Sequence, residues 1–346
     1  MFARSLQQSQ RLVLAPLLVG LIALGGVTPV AAKRSAGEPA VAIDPVRLGE
    51  QQTQLYRVGA LITASRGPCA DILAIVTLPL DCPWQSVRVV NEDFSPEVAD
   101  VAYRDLPGGG VRQMMVSIPR LPAGVEARAL VTCEVTIHLV NPPEEAAAAL
   151  LSIPRRPPTA LKRFVGPSPM IEARNSRLRR LAESVLADAE SVGKEPDDWG
   201  RVEALYEHVL STIDYAEGPD TSALTTLDDG IADCHGRSAL FVGLCRAIGV
   251  PARLVWVHDH CYPEFWLERA TGGDEFGGEW FPAESAGTPA FGGMPIARTV
   301  LQRGDSFRVP ERPRERLRYA SDYLTGRPLP GGGKPRVKYV REIVEE

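Results

Sequence analysis

The segment DCHGRSALFVGLCRAIGVPARLV, residues 233–255, predicts an α-helix that runs directly into a β-strand. Its apolar residues recur at helical spacing and form one stripe, made of Leu240, Phe241, Leu244, Cys245 and Ile248. Gly249 and Pro251 are typical helix-ending residues, and ARLVWVH at 252–258 has the composition of a strand. The segment therefore predicts a buried helix followed closely by a buried strand.

Cys234 is expected at the first position of this helix, because Asp233 is a suitable N-cap. A free cysteine with a pKa of about 8.5 is mostly protonated at pH 7, but a helix N-terminus favours the thiolate. The unpaired N–H groups there can also bind an oxyanion during acyl transfer. Cys234 is thus a candidate nucleophile, and the alternative is a small buried core residue. Cys245 lies on the apolar stripe and is interpreted as core.

Helices are predicted before this segment and strands after it. Residues 175–190 and 196–213 show helical periodicity, whereas 262–268 and 278–284 are strand-like runs. Helices followed by strands are typical of an α+β domain.

The first half of the chain has a different pattern. Six strand-like runs separated by turn signals predict an antiparallel β-sandwich domain at 53–142, after a flexible lead-in at 33–52. Residues 143–169 are proline-rich and predict a linker. The α+β domain is expected at 170–310, and 311–346 is expected to be a C-terminal tail with a short helix and a strand.

The N-terminus predicts an export signal. Residues 1–32 contain Arg4 and Arg11, then a long uncharged apolar run that ends in the small residues Val30 and Ala32. Cleavage there would give an exported, periplasmic or extracellular protein without stable membrane insertion. The alternative is an uncleaved membrane anchor.

Charge and cysteine content limit the possible partners. The net charge is −5 and no basic stripe is present, which argues against binding to nucleic acid or to anionic membranes. The sequence requires no disulfide among its six cysteines; Cys234 and Cys245, for example, are about 16 Å apart along one helix. His258, His260 and Cys261 suggest zinc, but no further ligand occurs at a diagnostic spacing, so neither a metal nor another cofactor is expected.

The sequence resembles the transglutaminase-like superfamily, relatives of the papain-like cysteine enzymes, over about residues 170–290. The residues that carry the resemblance are Cys234, LCRAIGVPARLV at 244–255, Trp266 with Glu268, and Trp280 with Pro282. The resemblance implies an α+β, papain-like domain. Many members of this superfamily also have an export signal and an upstream β-sandwich.

The resemblance also implies a Cys–His–Asp triad. Cys234 matches the nucleophile, Glu264 stands at the expected histidine position, and Glu284 stands at the expected aspartate position. Proton transfer from a thiol to an ordinary carboxylate is uphill by about 4 pKa units, or about 6 kcal/mol. Glu264 is therefore a poor replacement for histidine, unless burial raises its pKa.

His260 is the alternative base, because it lies four residues before Glu264 in the turn that leads into the same strand. His258 and His235 are interpreted as ordinary loop or surface residues. The remaining residues assigned to the oxyanion site or cleft are Tyr215, Trp266 and Trp280.

Two alternative functions are consistent with these residues. The first is an exported thiol enzyme that performs acyl transfer or hydrolysis at peptide amides, with weak or atypical activity because the expected histidine is Glu264. The second is a catalytically inactive binding or assembly module of the cell envelope. Both imply a protein or peptide as substrate or ligand.

Overall fold

The computed structural model describes residues 47–191, 196–269 and 277–344. The predicted signal peptide at 1–32 and the lead-in as far as residue 46 lie outside the described residues. Within the described ranges, no helix has the length and apolar character needed to cross a membrane.

Two four-stranded antiparallel sheets form the β-rich domain. In spatial order, the first consists of β16 (Arg336–Val344), β1 (Leu48–Thr63), β6 (Glu126–Val140) and β3 (Gln85–Phe94). In the same way, the second consists of β15 (Tyr323–Pro328), β2 (Cys69–Leu78), β5 (Arg112–Leu121) and β4 (Asp100–Asp105).

Alternating side chains build the core of this sandwich. Along β6, Val131, Cys133 and Val135 are buried, whereas the residues between them are partly exposed. They share one hydrophobic cluster with residues of the other sheet, such as Ile72 and Val116. One face of each sheet is therefore apolar, and the two faces pack together as the period-two pattern predicts.

The C-terminal tail completes the sandwich. β15 pairs with β2, and β16 pairs with β1 over nine residue pairs from Leu55↔Val344 to Thr63↔Arg336. The expected short helix at the tail is wrong, because the described residues 311–344 contain no helix and 323–328 form a strand. Each C-terminal strand extends a sheet that the first half of the chain builds, and this pairing stabilises the extended form.

Among the described residues, the second domain contains four α-helices of about two turns or more and an antiparallel sheet. Its helices are α2 (Ser176–Ser191), α3 (Asp198–Thr212), α4 (Ala223–Asp229) and α5 (Cys234–Ala247). Its sheet has the order β13 (Ala290–Phe291), β12 (Gly277–Glu284), β11 (His260–Arg269), β10 (Ala252–Val257) and β14 (Val300–Arg303). A short parallel pair, β8 (Asp214–Tyr215) and β9 (Ile231–Ala232), leads into α5.

The helix α5 is the centre of this domain. Phe241, Leu244 and Cys245 are completely buried, and they share a core with Phe265 of β11 and Phe281 of β12. Burial of the apolar stripe against the sheet fixes the helix in place, and with it the position of its N-terminus.

The proline-rich segment 143–169 is more ordered than a linker. It contains the one-turn helix α1 (Glu145–Ala148), the strand β7 (Leu151–Ser152) and a 3₁₀-helix at Thr159–Phe164. β7 pairs with the end of β11, so this segment contributes the sixth strand to the sheet of the second domain.

Candidate functional site

The start of α5 is fixed by a cap and by close packing. The Asp233 carboxylate accepts a hydrogen bond of 3.0 Å from the Gly236 amide, as expected for an N-cap. A Cβ at Gly236 would lie 2.2 Å from the Thr221 hydroxyl oxygen and 2.6 Å from the Ala232 Cβ. The absence of a side chain at Gly236 therefore lets the preceding loop pack directly on the first turn. Cys234, in this turn, is 8% exposed.

Two strand ends bring His260 and Glu284 to the same end of the sheet. His260 is the first residue of β11, and Glu284 is the last residue of the antiparallel neighbour β12. A two-residue turn before His260 contains Asp259 at a φ of 51°, a left-handed conformation that aspartate tolerates. The turn therefore places His260 at the end of the sheet that lies next to the N-terminus of α5.

His260 links Cys234 to Glu284. Its Nε2 lies 3.0 Å from Oε1 and 2.8 Å from Oε2 of Glu284. The ring also interacts with Cys234, because the two side chains shift each other's pKa values, and Nδ1 is the nitrogen that Glu284 does not hold. The three side chains thus have the connectivity of a thiol nucleophile, a base and a carboxylate that orients the base.

The carboxylate of Glu284 is held in place on several sides. Its side chain is 1% exposed, and Oε1 accepts a 2.9 Å hydrogen bond from the amide of Ala286. The hydroxyl of Tyr206 donates to the backbone oxygen of Glu284 at 2.5 Å, and Arg298 Nε lies 4.0 Å from Oε2. This buried and anchored carboxylate restricts the orientation of the His260 ring.

The electrostatics favour a thiolate–imidazolium pair. A hydrogen bond with Cys261 lowers the pKa of Cys234 to about 3, with further contributions from His260 and the charge of His235, although burial acts in the opposite direction. Burial alone would lower the pKa of His260, but hydrogen bonds with Cys234 and Glu284 raise it to about 9. Between these values Cys234 carries a negative charge and His260 a positive charge.

Glu264 does not take the place of the histidine, contrary to the expectation from the resemblance. Its carboxylate is completely buried, 2.8 Å from Arg253 Nε and 3.3 Å from an Arg303 nitrogen. Glu264 and His260 lie on the same face of β11 but about 13 Å apart along the strand, so only one of them can reach Cys234. His260, and not Glu264, is among the residues that lower the pKa of Cys234.

A sequence comparison agrees with this geometry. Residues 186–285, which include Cys234, His260 and Glu284, match the family described as the Transglutaminase-like superfamily.

The chain contains a domain of the transglutaminase-like superfamily.

Comparison with one solved structure supports a papain-like fold for the transglutaminase-like domain. The chain is similar to the "Putative Cysteine Protease from Cytophaga hutchinsonii", with a TM-score of 0.52, 14% identity, and coverage of 86% of this chain and 93% of that chain. A weaker similarity, with a TM-score of 0.26 and 13% identity, is to a "Putative Protease from Parabacteroides distasonis ATCC 8503" and covers 70% of this chain and 48% of that chain. A search of curated proteins finds no match to the chain.

The two tryptophans of the transglutaminase-like domain do not line the cysteine. Trp266 and Trp280 form a separate cluster with Phe164 and Leu161 of the 3₁₀-helix. The Arg253 guanidinium lies 3.8 Å from the centre of a Trp280 ring. This cluster is separate from the core that contains Cys234, so neither tryptophan is placed at the cysteine.

Tyr215 lies nearer to the cysteine and is 43% exposed. Its hydroxyl donates a 2.9 Å hydrogen bond to Glu217, and this bond raises the pKa of Tyr215 to about 12. The tyrosine therefore flanks the site, but its hydroxyl points to Glu217. His258 is directed elsewhere, with Nδ1 3.0 Å from the hydroxyl of Tyr56.

Cys261 and His235 also lie next to Cys234, although neither was expected in the triad. Cys261 is completely buried, and its sulfur lies within 4.8 Å of the Cys234 sulfur and 4.0 Å from the Ser238 hydroxyl oxygen. Burial raises the pKa of Cys261 well above the ordinary value. The His235 ring contacts Asp220 and Asp233 through Nδ1. The only sequence signal for Cys261 is its position next to His260; its contact with α5 depends on the packing of the strand on the helix.

Proposed function

We propose that the chain is a thiol enzyme that forms a thioester between Cys234 and an acyl group taken from a peptide amide. The observation that carries the proposal is the position of His260, whose Nε2 lies 2.8 Å from Glu284 and whose pKa is raised by both Cys234 and Glu284. An imidazole between a thiol and a buried carboxylate can both stabilise the thiolate and transfer protons.

In the proposed acylation step, the Cys234 thiolate attacks the amide carbonyl carbon and forms the new carbon–sulfur bond. The first-turn amides of α5, at Cys234 and His235, are suitable donors for the oxyanion, because a helix offers them no backbone acceptor. The His260 imidazolium then gives its proton to the leaving amine as the carbon–nitrogen bond breaks. In deacylation, His260 takes a proton from the attacking water or amine, and the thiolate is regenerated.

The geometry favours this proposal over an inactive module. The inactive alternative depended on the loss of the histidine, whereas His260 provides an imidazole at Cys234 with its second nitrogen held by Glu284. Glutamate in place of aspartate lengthens the carboxylate side chain by one methylene group and keeps the same acceptor. The export signal predicted at residues 1–32 supports the further proposal that the enzyme acts outside the cytoplasm on protein or peptide substrates.

Intact-protein mass spectrometry tests the proposal directly. The full chain is mixed with an activated ester of an N-blocked peptide, and the acyl adduct is mapped by proteolysis. We expect one adduct on Cys234, which is absent from Cys234→Ala and retained in Cys82→Ser, a change in the sandwich domain. The absence of an adduct on wild-type protein, or an adduct that Cys234→Ala does not remove, would contradict the proposal.

A further inference from the structure

Three metal-ligand side chains converge at the start of α5. The sulfur atoms of Cys234 and Cys261 and a ring nitrogen of His235 all lie within 4.8 Å of one another. We propose that these three residues bind a thiophilic divalent cation of the Zn²⁺ type, and that the bound cation blocks the Cys234 thiol. The proposal goes beyond the acyl-transfer function and does not depend on it.

The spacing of the three atoms suits a small tetrahedral site. Zinc binds thiolate at about 2.3 Å and imidazole at about 2.0–2.1 Å, so ligand atoms of one zinc lie roughly 3.5–3.8 Å apart. A contraction of about 1 Å from the 4.8 Å limit is enough to reach this geometry. Two cysteines and one histidine leave a fourth position for water, as in zinc sites with three protein ligands and one open coordination position.

The surroundings of His235 supply a second argument. Its Nδ1 contacts Asp220, and it lies 3.3 Å from a carboxylate oxygen of Asp233. Metal-bound histidines characteristically donate their other ring nitrogen to a carboxylate, which fixes the tautomer and the ring orientation. With Nδ1 held in this way, Nε2 is the nitrogen presented to a cation.

The site has both an entrance and a suitable charge. The His235 side chain is 27% exposed and Asp220 is 47% exposed, so solvent reaches the His235 ligand from this side. Two thiolates would neutralise the charge of a divalent cation. The nearby positive charge of Arg318 is balanced by the Asp220 carboxylate, which lies 3.6 Å away. Binding would release protons, since zinc binds the thiolate form of cysteine.

Occupation of this site is incompatible with nucleophilic attack. A cation that shares the sulfur electron pair of Cys234 takes the atom that would attack a carbonyl carbon, and it competes with the hydrogen bond to His260. The structure therefore assigns a reversible block, in which removal of the cation restores the thiolate–imidazolium pair.

Cobalt provides a spectroscopic test under reducing conditions, which keep both cysteines as thiols. The full chain is titrated with Co²⁺, and we expect visible bands of tetrahedral cobalt together with a sulfur-to-cobalt charge-transfer band in the near ultraviolet. Cys261→Ser should reduce the charge-transfer band by about half, because one of two thiolates is lost. Both Cys261→Ser and His235→Ala should weaken Zn²⁺ binding by at least about tenfold, as loss of an outer partner alone costs about 10–100-fold.

Matched controls and a measurement on wild-type protein complete the experiment. Cys82→Ser and His208→Ala lie away from the site and should leave the cobalt spectrum unchanged. Zn²⁺ should protect wild-type Cys234 from iodoacetamide, and a chelator should restore the reactivity. This measurement uses only wild-type protein, so it tests the proposal even if a variant does not fold. A wild-type spectrum without the charge-transfer band, a wild-type thiol that Zn²⁺ does not protect, or a spectrum that either site variant leaves unchanged would overturn the proposal. A failed peptide-adduct experiment with an intact cobalt spectrum would instead count against acyl transfer alone.

Discussion

The His260 Nε2 atom lies within 3.0 Å of both carboxylate oxygens of Glu284. This contact joins the first residue of β11 to the last residue of β12, and the same imidazole ring interacts with Cys234. A carboxylate in this position stabilises the imidazolium and fixes the tautomer of the neutral ring. The reactivity of Cys234 should therefore depend on Glu284, although the two residues lie on different elements.

Replacement of this carboxylate should lower the pKa of His260. In Glu284→Gln the negative charge is lost while the shape is kept, so the pKa should fall from about 9 towards or below its ordinary value of about 6.5. The titration of His260 can be followed by NMR of its ring protons. Acylation of Cys234 should slow roughly 100-fold or more, as expected when a general acid–base residue is no longer supported.

The control for this change is Glu217→Gln, which removes an exposed carboxylate bonded to Tyr215. It should leave the His260 titration unchanged. A pKa of His260 that is the same in Glu284→Gln and in the wild type would show that the carboxylate has no electrostatic role.

Glu264 should contribute to stability and not to the reactivity of Cys234. Glu264→Gln removes the negative charge between Arg253 and Arg303, and loss of one partner of a buried ion pair typically costs about 3–5 kcal/mol. Urea denaturation should show this loss of unfolding free energy. Because Glu264 lies about 13 Å from His260 along β11, the pH dependence of Cys234 alkylation should not change.

A surface ion pair gives the matched comparison. Arg88 and Glu134 are 2.8 Å apart with side chains 67% and 35% exposed, and Glu134→Gln should cost less than about 1 kcal/mol. An altered alkylation profile in Glu264→Gln, together with an unchanged unfolding free energy, would support the replacement of histidine by Glu264 that the sequence suggested.

A side chain at Gly236, in the first turn of α5, should lower the stability of the fold. In Gly236→Ala the new methyl group would meet the Thr221 hydroxyl oxygen and the Ala232 Cβ, so the turn or its neighbours must move. Overpacking of this kind typically costs about 1–3 kcal/mol. Thermal unfolding measures the loss. An added Cβ at Gly218 meets no atom of the described residues within 4 Å, so Gly218→Ala should change stability by less than about 0.5 kcal/mol. Equal melting temperatures for the two variants would rule out the close packing.

The sequence predicts those parts of the fold that depend on local patterns. The alternation along 127–140 predicts β6, and the cap at Asp233 with the apolar stripe behind it predicts α5. The return of β15 and β16 to the sandwich is different. Thr63 pairs with Arg336, which is far away in the chain, and no local pattern specifies which sheet edge a late strand will join.

The site was only partly predictable for a related reason. Cys234 is marked by its helix position, but His260 and Glu264 lie on the same face of one strand, so alternation cannot choose between them. The choice depends on how the strand is placed against the N-terminus of α5. The contact of Cys261 with Cys234 depends on the same packing, and the sequence shows only that the two cysteines exist.

The central claim is that Cys234 is a thiolate stabilised by its neighbours, and the pH dependence of its alkylation tests this most directly. The second-order rate constant for iodoacetamide is measured from about pH 5 to about pH 9, with the modified peptide quantified by mass spectrometry. The shape of the profile decides and not the rate itself, because a thiolate of low pKa is also a weaker nucleophile. We predict a flat wild-type profile between about pH 5 and about pH 8, since the pKa of Cys234 is about 3. His260→Ala should move the inflection to higher pH. A wild-type rate constant that rises about tenfold per pH unit towards a midpoint near 8.5 would contradict the account, because it is the profile of an ordinary thiol.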